Sequence, residues 1–190
     1  MALSQARLAA SLLDIFVAKS GIRSVETFEE KWAEAYDRYA RAAEDVSGEG
    51  PATVNAAGFR QALDFRSART AADFCRQFER AFVAYWTAAV FQVGTPPPPT
   101  PPCPNVGGTA IFSSETSSVV SAVTPQVMFR QLLPQISMVP PRATPEERAA
   151  AIAGAMHRAT VSAVLVLITG LDTTPPPAGP LPVTNVCTIR

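Results

Sequence analysis

The chain has 190 residues, and its 16 basic and 16 acidic residues give a formal net charge of zero. A balanced charge leaves no electrostatic footprint for nucleic acid or for an anionic membrane surface, so neither is expected as a partner. Only 17% of the residues are charged and 18 are proline, fewer charges and more prolines than an ordinary soluble domain carries. Either GC-rich coding or a surface made for protein contacts accounts for this bias.

The N-terminal segment, residues 1–21, has an apolar run after Arg7, as a signal peptide does. Asp14 interrupts that run and no clean cleavage site of small residues follows, so we expect an amphipathic first helix. The best candidate for a membrane span is the uncharged stretch 159–171, but it has only 13 residues, whereas a span needs about 20. We therefore expect a protein of the cytoplasm or of an assembled, virion-like particle.

Four helices are predicted in the first half from the spacing of apolar residues and from capping signals. Thr27 with Glu30, and Thr70 with Asp73, have capping-box spacing and predict the starts of the second and fourth helices. An aromatic stripe in the fourth helix is expected to lie in the core; it consists of Phe74, Phe78, Phe82, Tyr85 and Trp86. The predicted helices span residues 2–19, 27–46, 55–66 and 70–93.

The second half alternates Pro-rich segments with short structured stretches. Residues 95–104 read TPPPPTPPCP, which excludes a helix or a central strand and favours an extended polyproline conformation. Residues 172–182 form a second Pro-rich run. Two β-rich stretches, 109–113 (TAIFS) and 183–190 (VTNVCTIR), are predicted to be strands. Between them, Thr124-Pro125 predicts the start of a helix that Pro134 ends.

The longest predicted helix spans residues 144–170. Thr144 is a good N-cap, Pro145 suits the first helical position, and Glu147 completes a capping box. Its second half carries no charge on any face, and a helix that is apolar all round must be buried all round. We therefore expect it to be the hydrophobic centre of the fold, with the side chains of Val161, Leu165 and Ile168 almost fully buried.

These elements predict a mainly α fold: a helical bundle-like core of about five to six helices, two Pro-rich extended segments and a minor two-stranded β element. We divide the chain into an N-terminal helical region, a Pro-rich extended linker, a strand with C-terminal helices of the same core, and a Pro-rich C-terminal arm. These regions span residues 1–94, 95–108, 109–171 and 172–190.

A search for catalytic chemistry finds little. His157 is the only histidine, and no paired histidines or Cys–His spacing predicts a metal site. A nucleophilic pair of His157 with Cys75 or with Ser162 is conceivable, but neither lies in a recognisable nucleophile motif. We therefore predict no catalytic, cofactor-binding or metal-binding residues, and no cofactor.

Two further groups of residues are interpreted structurally. The odd number of cysteines argues against a disulfide framework, although Cys103 and Cys187 both lie in Pro-rich tails and their pairing is left open. The acidic residues of the second helix are expected to form a solvated face; they are Glu29, Glu30, Glu34 and Asp37.

Charge is distributed unevenly between the halves. Residues 1–94 hold 12 acidic and 11 basic residues, whereas residues 95–190 hold four and five. Nine charges are too few for a normally solvated surface of that length, so either the first half or another subunit is expected to cover the second.

The leading functional hypothesis is a non-enzymatic structural or adaptor subunit of a larger protein assembly, with a phage-like or contractile-injection-type particle as the first candidate. Its partners would be other protein subunits in a homo- or hetero-oligomer, contacted through the extended arms. Residues 183–190 would then add to a neighbour's sheet, or pair within the chain with 109–113. The alternatives are a stand-alone binding protein that displays Pro-rich ligand segments, and a small enzyme or carrier with a pocket near His157.

Overall fold

Helices make up most of the described part of the chain in the computed structural model, which confirms the predicted mainly α fold. The structure describes residues 3–17, 22, 24–44, 50–87, 89–91, 119–138, 140, 142–172 and 181–189, and only the backbone of residues 119–122, 167–172 and 181–188. The helices are α1 (Gln5–Phe16), α2 (Val25–Ala40), α3 (Ala56–Ala62), α4 (Ala71–Trp86), α5 (Val127–Ser137) and α6 (Pro145–Ala163). The strands are β1 (Pro51–Thr53), β2 (Val90–Phe91), β3 (Val119–Val123), β4 (Val164–Asp172) and β5 (Leu181–Thr188).

Capping side chains determine where two of these helices begin. The predicted capping box of α4 is confirmed, because the Thr70 hydroxyl accepts from the Asp73 amide at 3.1 Å and the Asp73 carboxylate accepts from the Thr70 amide at 3.1 Å. The predicted start of α2 is wrong. Ser24 is its N-cap and accepts from the Thr27 amide at 3.2 Å, so α2 begins almost one turn earlier than expected. Likewise, α4 ends at Trp86 rather than at residue 93, because β2 follows it.

The core lies between α2, α4 and the helices that flank them. α6 packs against α1 and α5, while α4 packs against α3 and α5. The aromatic stripe predicted for α4 does lie in the core, with Phe74 at its margin. Trp32 of α2 meets this stripe, and its ring lies edge-on to Phe78 with centroids 4.8 Å apart. Edge-to-face contacts of this kind add to the stabilisation from burial alone.

The start of α5 is held by a side chain that is distant in sequence. The Glu79 carboxylate, on α4, accepts from the Gln126 amide at 2.6 Å and from the Phe129 amide at 2.8 Å. Helix N-termini have unpaired amides and a positive dipole end, so a carboxylate there satisfies both. The prediction that Pro134 ends this helix is wrong, because α5 continues to Ser137. Pro134 lies in the last turn, where its missing N–H costs only one helical bond.

The predicted helix 144–170 is too long. Its capping box at Thr144 and Glu147 is confirmed, but α6 ends at Ala163 and the chain passes directly into β4. A fully apolar run fits a central strand as well as it fits a buried helix. Here the β-branched residues favour the strand, and β4 gains hydrogen-bonding partners on both of its sides.

The strands form one antiparallel sheet in the order β1-β2-β3-β4-β5. A small antiparallel β element is present as predicted, but the partner of β5 in it is β4, part of which was predicted to be helix; the register runs from Leu165 opposite Thr188 to Asp172 opposite Leu181. The sheet is larger than expected, because β3 pairs with the other side of β4 from Val120 opposite Leu167 to Val123 opposite Val164. The β-rich stretch 183–190 is therefore confirmed as a strand for most of its length, whereas the stretch 109–113 lies outside the described residues.

Burial in this region follows the alternation of a strand. Val164 and Val166 are fully buried, and Leu165 between them is only half-buried. The prediction that Val161 and Leu165 are almost fully buried is wrong, since both are intermediate. The side chain of Ile168 lies outside the described residues.

Replacing Val166 by Ala is expected to destabilise the protein more than replacing the larger Leu165 by Ala. Val166 loses two buried methyl groups, which corresponds to about 2 kcal/mol, whereas half-buried Leu165 is expected to lose about 1 kcal/mol. Chemical denaturation of the two variants checks this order. A larger loss for Leu165→Ala would indicate that α6 continues through this segment as a helix.

Candidate functional site

A directed chain of buried hydrogen bonds links α4, α2 and α6. Trp86 Nε1–H donates to the Tyr36 hydroxyl at 2.8 Å, and the Thr160 hydroxyl donates to the Met156 carbonyl at 2.8 Å. Since the Thr160 proton is used in that bond, the Tyr36 hydroxyl donates to Thr160 Oγ1, 3.0 Å away. Every member is satisfied, so the chain stabilises the core and holds its three helices in one arrangement.

His157 lies beside this chain and bonds to Tyr39. The Tyr39 hydroxyl and His157 Nδ1 are 2.8 Å apart, and the two rings meet edge-on with centroids 6.0 Å apart. Burial raises the pKa of Tyr39 far above its usual value, so its hydroxyl keeps its proton and donates to Nδ1. Desolvation, and then the nearby Arg158 charge, lower the pKa of His157. Both effects favour a neutral imidazole.

Tyr85, the third tyrosine, donates a hydrogen bond to the carboxylate of an ion pair. The Tyr85 hydroxyl donates to Asp37 Oδ1 at 2.8 Å, and Arg41 Nε donates to Asp37 Oδ2 at 2.9 Å. Burial raises the pKa of Tyr85, and the bond to the Asp37 carboxylate raises it further. Burial likewise raises the pKa of Tyr36. None of these hydroxyls is prepared to act as an acid or base near neutral pH, because each is protonated and engaged.

The conceivable nucleophilic pairs are not supported by the geometry. The Ser162 hydroxyl donates to the Arg158 carbonyl at 2.7 Å, while His157 uses its Nδ1 for Tyr39. Cys75 is fully buried, and burial raises the pKa of its thiol to about 11. A thiol in that state is a structural group rather than a nucleophile. Within the described residues, no three His, Cys, Asp or Glu side chains come together as a metal site requires.

The acidic side of α2 has a structural role instead of forming only a solvated face. It lines a cleft of about 670 Å³ between α2 and α3. Glu29 accepts from the Phe65 amide at 2.7 Å, and Glu30 pairs with Arg60 at 3.1 Å. A further pair joins Glu26 to Arg66. These carboxylates link α2 to α3 and to the segment after it, so each of them already has a hydrogen-bonding or ionic partner within the chain.

Replacing His157 by Gln is expected to make stability less dependent on pH in the weakly acidic range. A pKa below the usual 6.5 in the folded state means that the unfolded chain binds the proton first as the pH falls. Stability is then lost as the pH drops through about 6.5, and it rises again with pH. Melting temperatures measured at steps between about pH 7.5 and 5.5 should fall less for His157→Gln than for the wild type. Equal slopes would contradict this assignment.

The outer side of β5, which has no partner strand among the described residues, is the feature that sequence reasoning missed. β5 is the last strand of the sheet, and β4 is its one described neighbour. A hydrogen bond next to the β3–β4 pairing shows which backbone groups of β5 point away from the sheet. Thr124 N–H donates to the Ala163 carbonyl at 2.9 Å, and this pair continues the register in which Val123 lies opposite Val164.

Opposite residues in an antiparallel pair alternate between bonded and non-bonded pairs. Counting from Thr124 and Ala163, the odd-numbered residues of β4 bond to β3 and the even-numbered ones bond to β5. In β5, the residues that bond to β4 are therefore Leu181, Val183, Asn185 and Cys187. The backbone groups of the other four residues point away from the sheet; these are Pro182, Thr184, Val186 and Thr188.

The position of proline agrees with this assignment. Pro182 has no N–H, and it lies opposite Leu171 in a pair that needs none. Carrying the alternation across to the other edge also places Pro51, opposite Phe91, in a non-bonded pair. Both prolines thus lie in pairs that need no proline N–H. This supports the assignment of bonded and non-bonded pairs at two separate positions.

The two edges of the sheet differ in how they are protected. β1 has three residues, begins with Pro51 and has an irregular register, all of which are features that prevent edge-to-edge pairing. β5 has eight residues and no charged residue. A long, uncharged edge is the kind that pairs with another strand.

The structure places the end of the C-terminal arm in the chain's own sheet, and a contact of this arm with a neighbour stays a prediction. β5 belongs to the chain's own sheet, where its described partner is β4, and the stretch 109–113 lies outside the described residues. Among the described strands, β5 is thus the last of the sheet and pairs on one side with β4. Cys103 and the side chain of Cys187 lie outside the described residues, so their pairing stays an open prediction.

Among the described residues, no helix combines the length and apolar character needed to span a membrane. The chain matches no known protein family, no curated protein and no solved structure.

Proposed function

We propose that this chain is a non-enzymatic structural or adaptor subunit of a larger protein assembly, and that it contacts other protein subunits through the edge of β5. The observation that carries this proposal is the eight-residue, uncharged edge, which lies outside any described pairing. Main-chain hydrogen bonds to an added strand provide affinity in such contacts, and alternate side chains provide specificity.

The use of the polar groups in the core also supports a structural role. The three tyrosine hydroxyls, His157 and the buried thiol of Cys75 serve packing and hydrogen bonding between helices. His157 is not among the residues that line the clefts described around the helices, of which the acidic cleft between α2 and α3 has the largest volume.

The charge-poor second half and its Pro-rich segments fit the same role, because few charges and low chain entropy both favour protein contacts. A phage-like or contractile-injection-type particle is the setting that we propose. A clean monomer in cells would instead favour a stand-alone binding protein.

The test is the size of the native species that contains this chain. A tagged copy is expressed in the source cells at its natural level, and lysates are separated by sedimentation. We expect the 20.2 kDa chain to migrate in a much heavier species with other proteins at fixed ratios.

Two variants make this experiment specific. Val186→Lys places a charge on the β5 edge and is expected to release the chain from that species. Ala52→Lys, on the exposed part of β1, is the matched control and should assemble normally, as should His157→Gln. Migration of the wild-type chain as a monomer or dimer would overturn the proposal.

A further inference from the structure

The outward groups of β5 form a pattern that is complementary to itself. Thr184, Val186 and Thr188 each present one N–H and one C=O, and Pro182 adds a C=O. When two such strands run antiparallel about a two-fold axis, each donor of one faces an acceptor of the other. With Val186 opposite Val186, or with Thr184 opposite Val186, the two strands exchange six main-chain bonds.

From this we infer that the partner at the β5 edge is the β5 strand of a second copy of this chain, which joins two five-stranded sheets into one ten-stranded sheet. The inference deepens the proposed function and rests on it, because the resulting dimer would be the unit that enters the assembly.

Charge distinguishes a second copy from other partners. Like charges directly opposite each other destabilise strand pairs, and a two-fold axis places the residues nearest to it beside their own copies. β5 has no charged residue, so two copies meet without repulsion. The same neutrality gives no electrostatic selection for a strand of opposite charge on another protein.

The opposite edge explains why such pairing would stop at two copies. An isologous contact about a two-fold axis uses each edge once and is closed. The only other sheet edge among the described strands is β1, which is short and begins with Pro51. The sheet therefore ends at both sides of the dimer, and growth into a fibre is prevented.

A contact made by one strand pair is small compared with the interfaces of stable dimers. We therefore expect reversible, concentration-dependent dimerisation of the purified protein. Light scattering and sedimentation equilibrium over about 1 µM to 1 mM cover the affinities of weak protein pairs.

The decisive experiment is a charge swap at Val186. Val186→Lys and Val186→Glu, each alone, should weaken dimerisation at least about tenfold, since equal charges face each other in the first register and are diagonal neighbours in the second. Mixing the two variants in equal amounts should restore a dimer, because each Lys then lies opposite or diagonal to a Glu. Ala52→Lys is the matched control on the other edge and should dimerise as the wild type does. Circular dichroism checks that each variant is folded.

Thr184→Pro is a second variant in case the charged ones do not fold, because it removes one outward N–H and keeps the bonds to β4. It should also weaken the dimer. A monomeric wild type at all concentrations, or a mixture of Lys and Glu variants that stays monomeric, would overturn the inference. The proposed function is tested separately: loss of Val186→Lys from the native species, with a monomeric purified wild type, would mean that the edge binds a different subunit.

Discussion

Raising the pH above about 10 is expected to unfold this protein in one step in which all three of its tyrosines ionise together. Tyr36, Tyr39 and Tyr85 are the only tyrosines of the chain, and all three are buried. Burial raises the pKa of each hydroxyl well above its usual value. The folded protein therefore keeps protons that the unfolded chain releases. Stability is fully present below the unfolded pKa and is lost as the pH rises beyond it.

Absorbance at 295 nm and circular dichroism, recorded on the same samples, measure phenolate and fold respectively. We expect no phenolate signal until the helices melt, and then a change equal to three tyrosines. Tyr85→Phe is a useful comparison, since it removes the hydroxyl that donates to Asp37, and the remaining signal should correspond to two tyrosines. Gradual ionisation of even one tyrosine in the folded protein would contradict the described cluster.

Replacing Trp32 by Ala is expected to destabilise the fold by about 3–5 kcal/mol, the usual range for a buried aromatic side chain. Trp32 is 1% exposed. Its ring lies edge-on to five phenylalanines from four parts of the chain; these are Phe16, Phe28, Phe65, Phe74 and Phe78. Removing the indole therefore opens a cavity where α1, α2, α4 and the segment after α3 meet.

Trp32→Phe is the matched control. The Trp32 indole N–H is buried and has no hydrogen-bond partner among the described residues, and an unsatisfied donor of this kind costs about 1–3 kcal/mol. Phenylalanine loses part of the ring volume but removes that donor, and the two effects offset each other. Urea denaturation should therefore place Trp32→Phe within about 1 kcal/mol of the wild type. An equal loss for both variants would show that the indole is not packed as described.

The elements that sequence predicted well are those determined locally. The capping boxes at Thr70 and Thr144 and the aromatic stripe of α4 depend on residues within one or two turns. The mainly α fold followed from them. The helix boundaries that were predicted wrongly have a different cause, because groups distant in sequence determine them. Glu79 caps α5 from another helix, and nothing in the sequence around Gln126 indicates it.

The segment after Ala163 shows the same limit more sharply. Its uncharged run fits a buried helix or a central strand, and only the pairing of β4 with both β3 and β5 decides between them. Such pairing joins residues far apart in sequence, so periodicity within the segment does not reveal it. The position of β5 as the last described strand follows from that pairing, so the sequence alone indicated only a Pro-rich arm that ends in a strand.

The polar cluster was hidden for a related reason. Tyr36 and Tyr39 read as members of an apolar stripe, and His157 as an isolated residue. Their hydrogen bonds join positions more than 100 residues apart, so neither spacing nor composition connects them. The one available signal was that every tyrosine lay on a predicted core face, where a buried hydroxyl needs a partner.

Hydrogen exchange of the β5 amides is the measurement that tests the account most directly, since it reads the open edge residue by residue. In a dilute sample, the amides of Val183, Asn185 and Cys187 should exchange slowly, because they bond to β4, whereas those of Thr184, Val186 and Thr188 should exchange rapidly. In the assembled or concentrated protein, the second set should become protected as well. Slow exchange of both sets in dilute monomer would show that another part of the chain already covers the edge, and β5 would not be the contact surface.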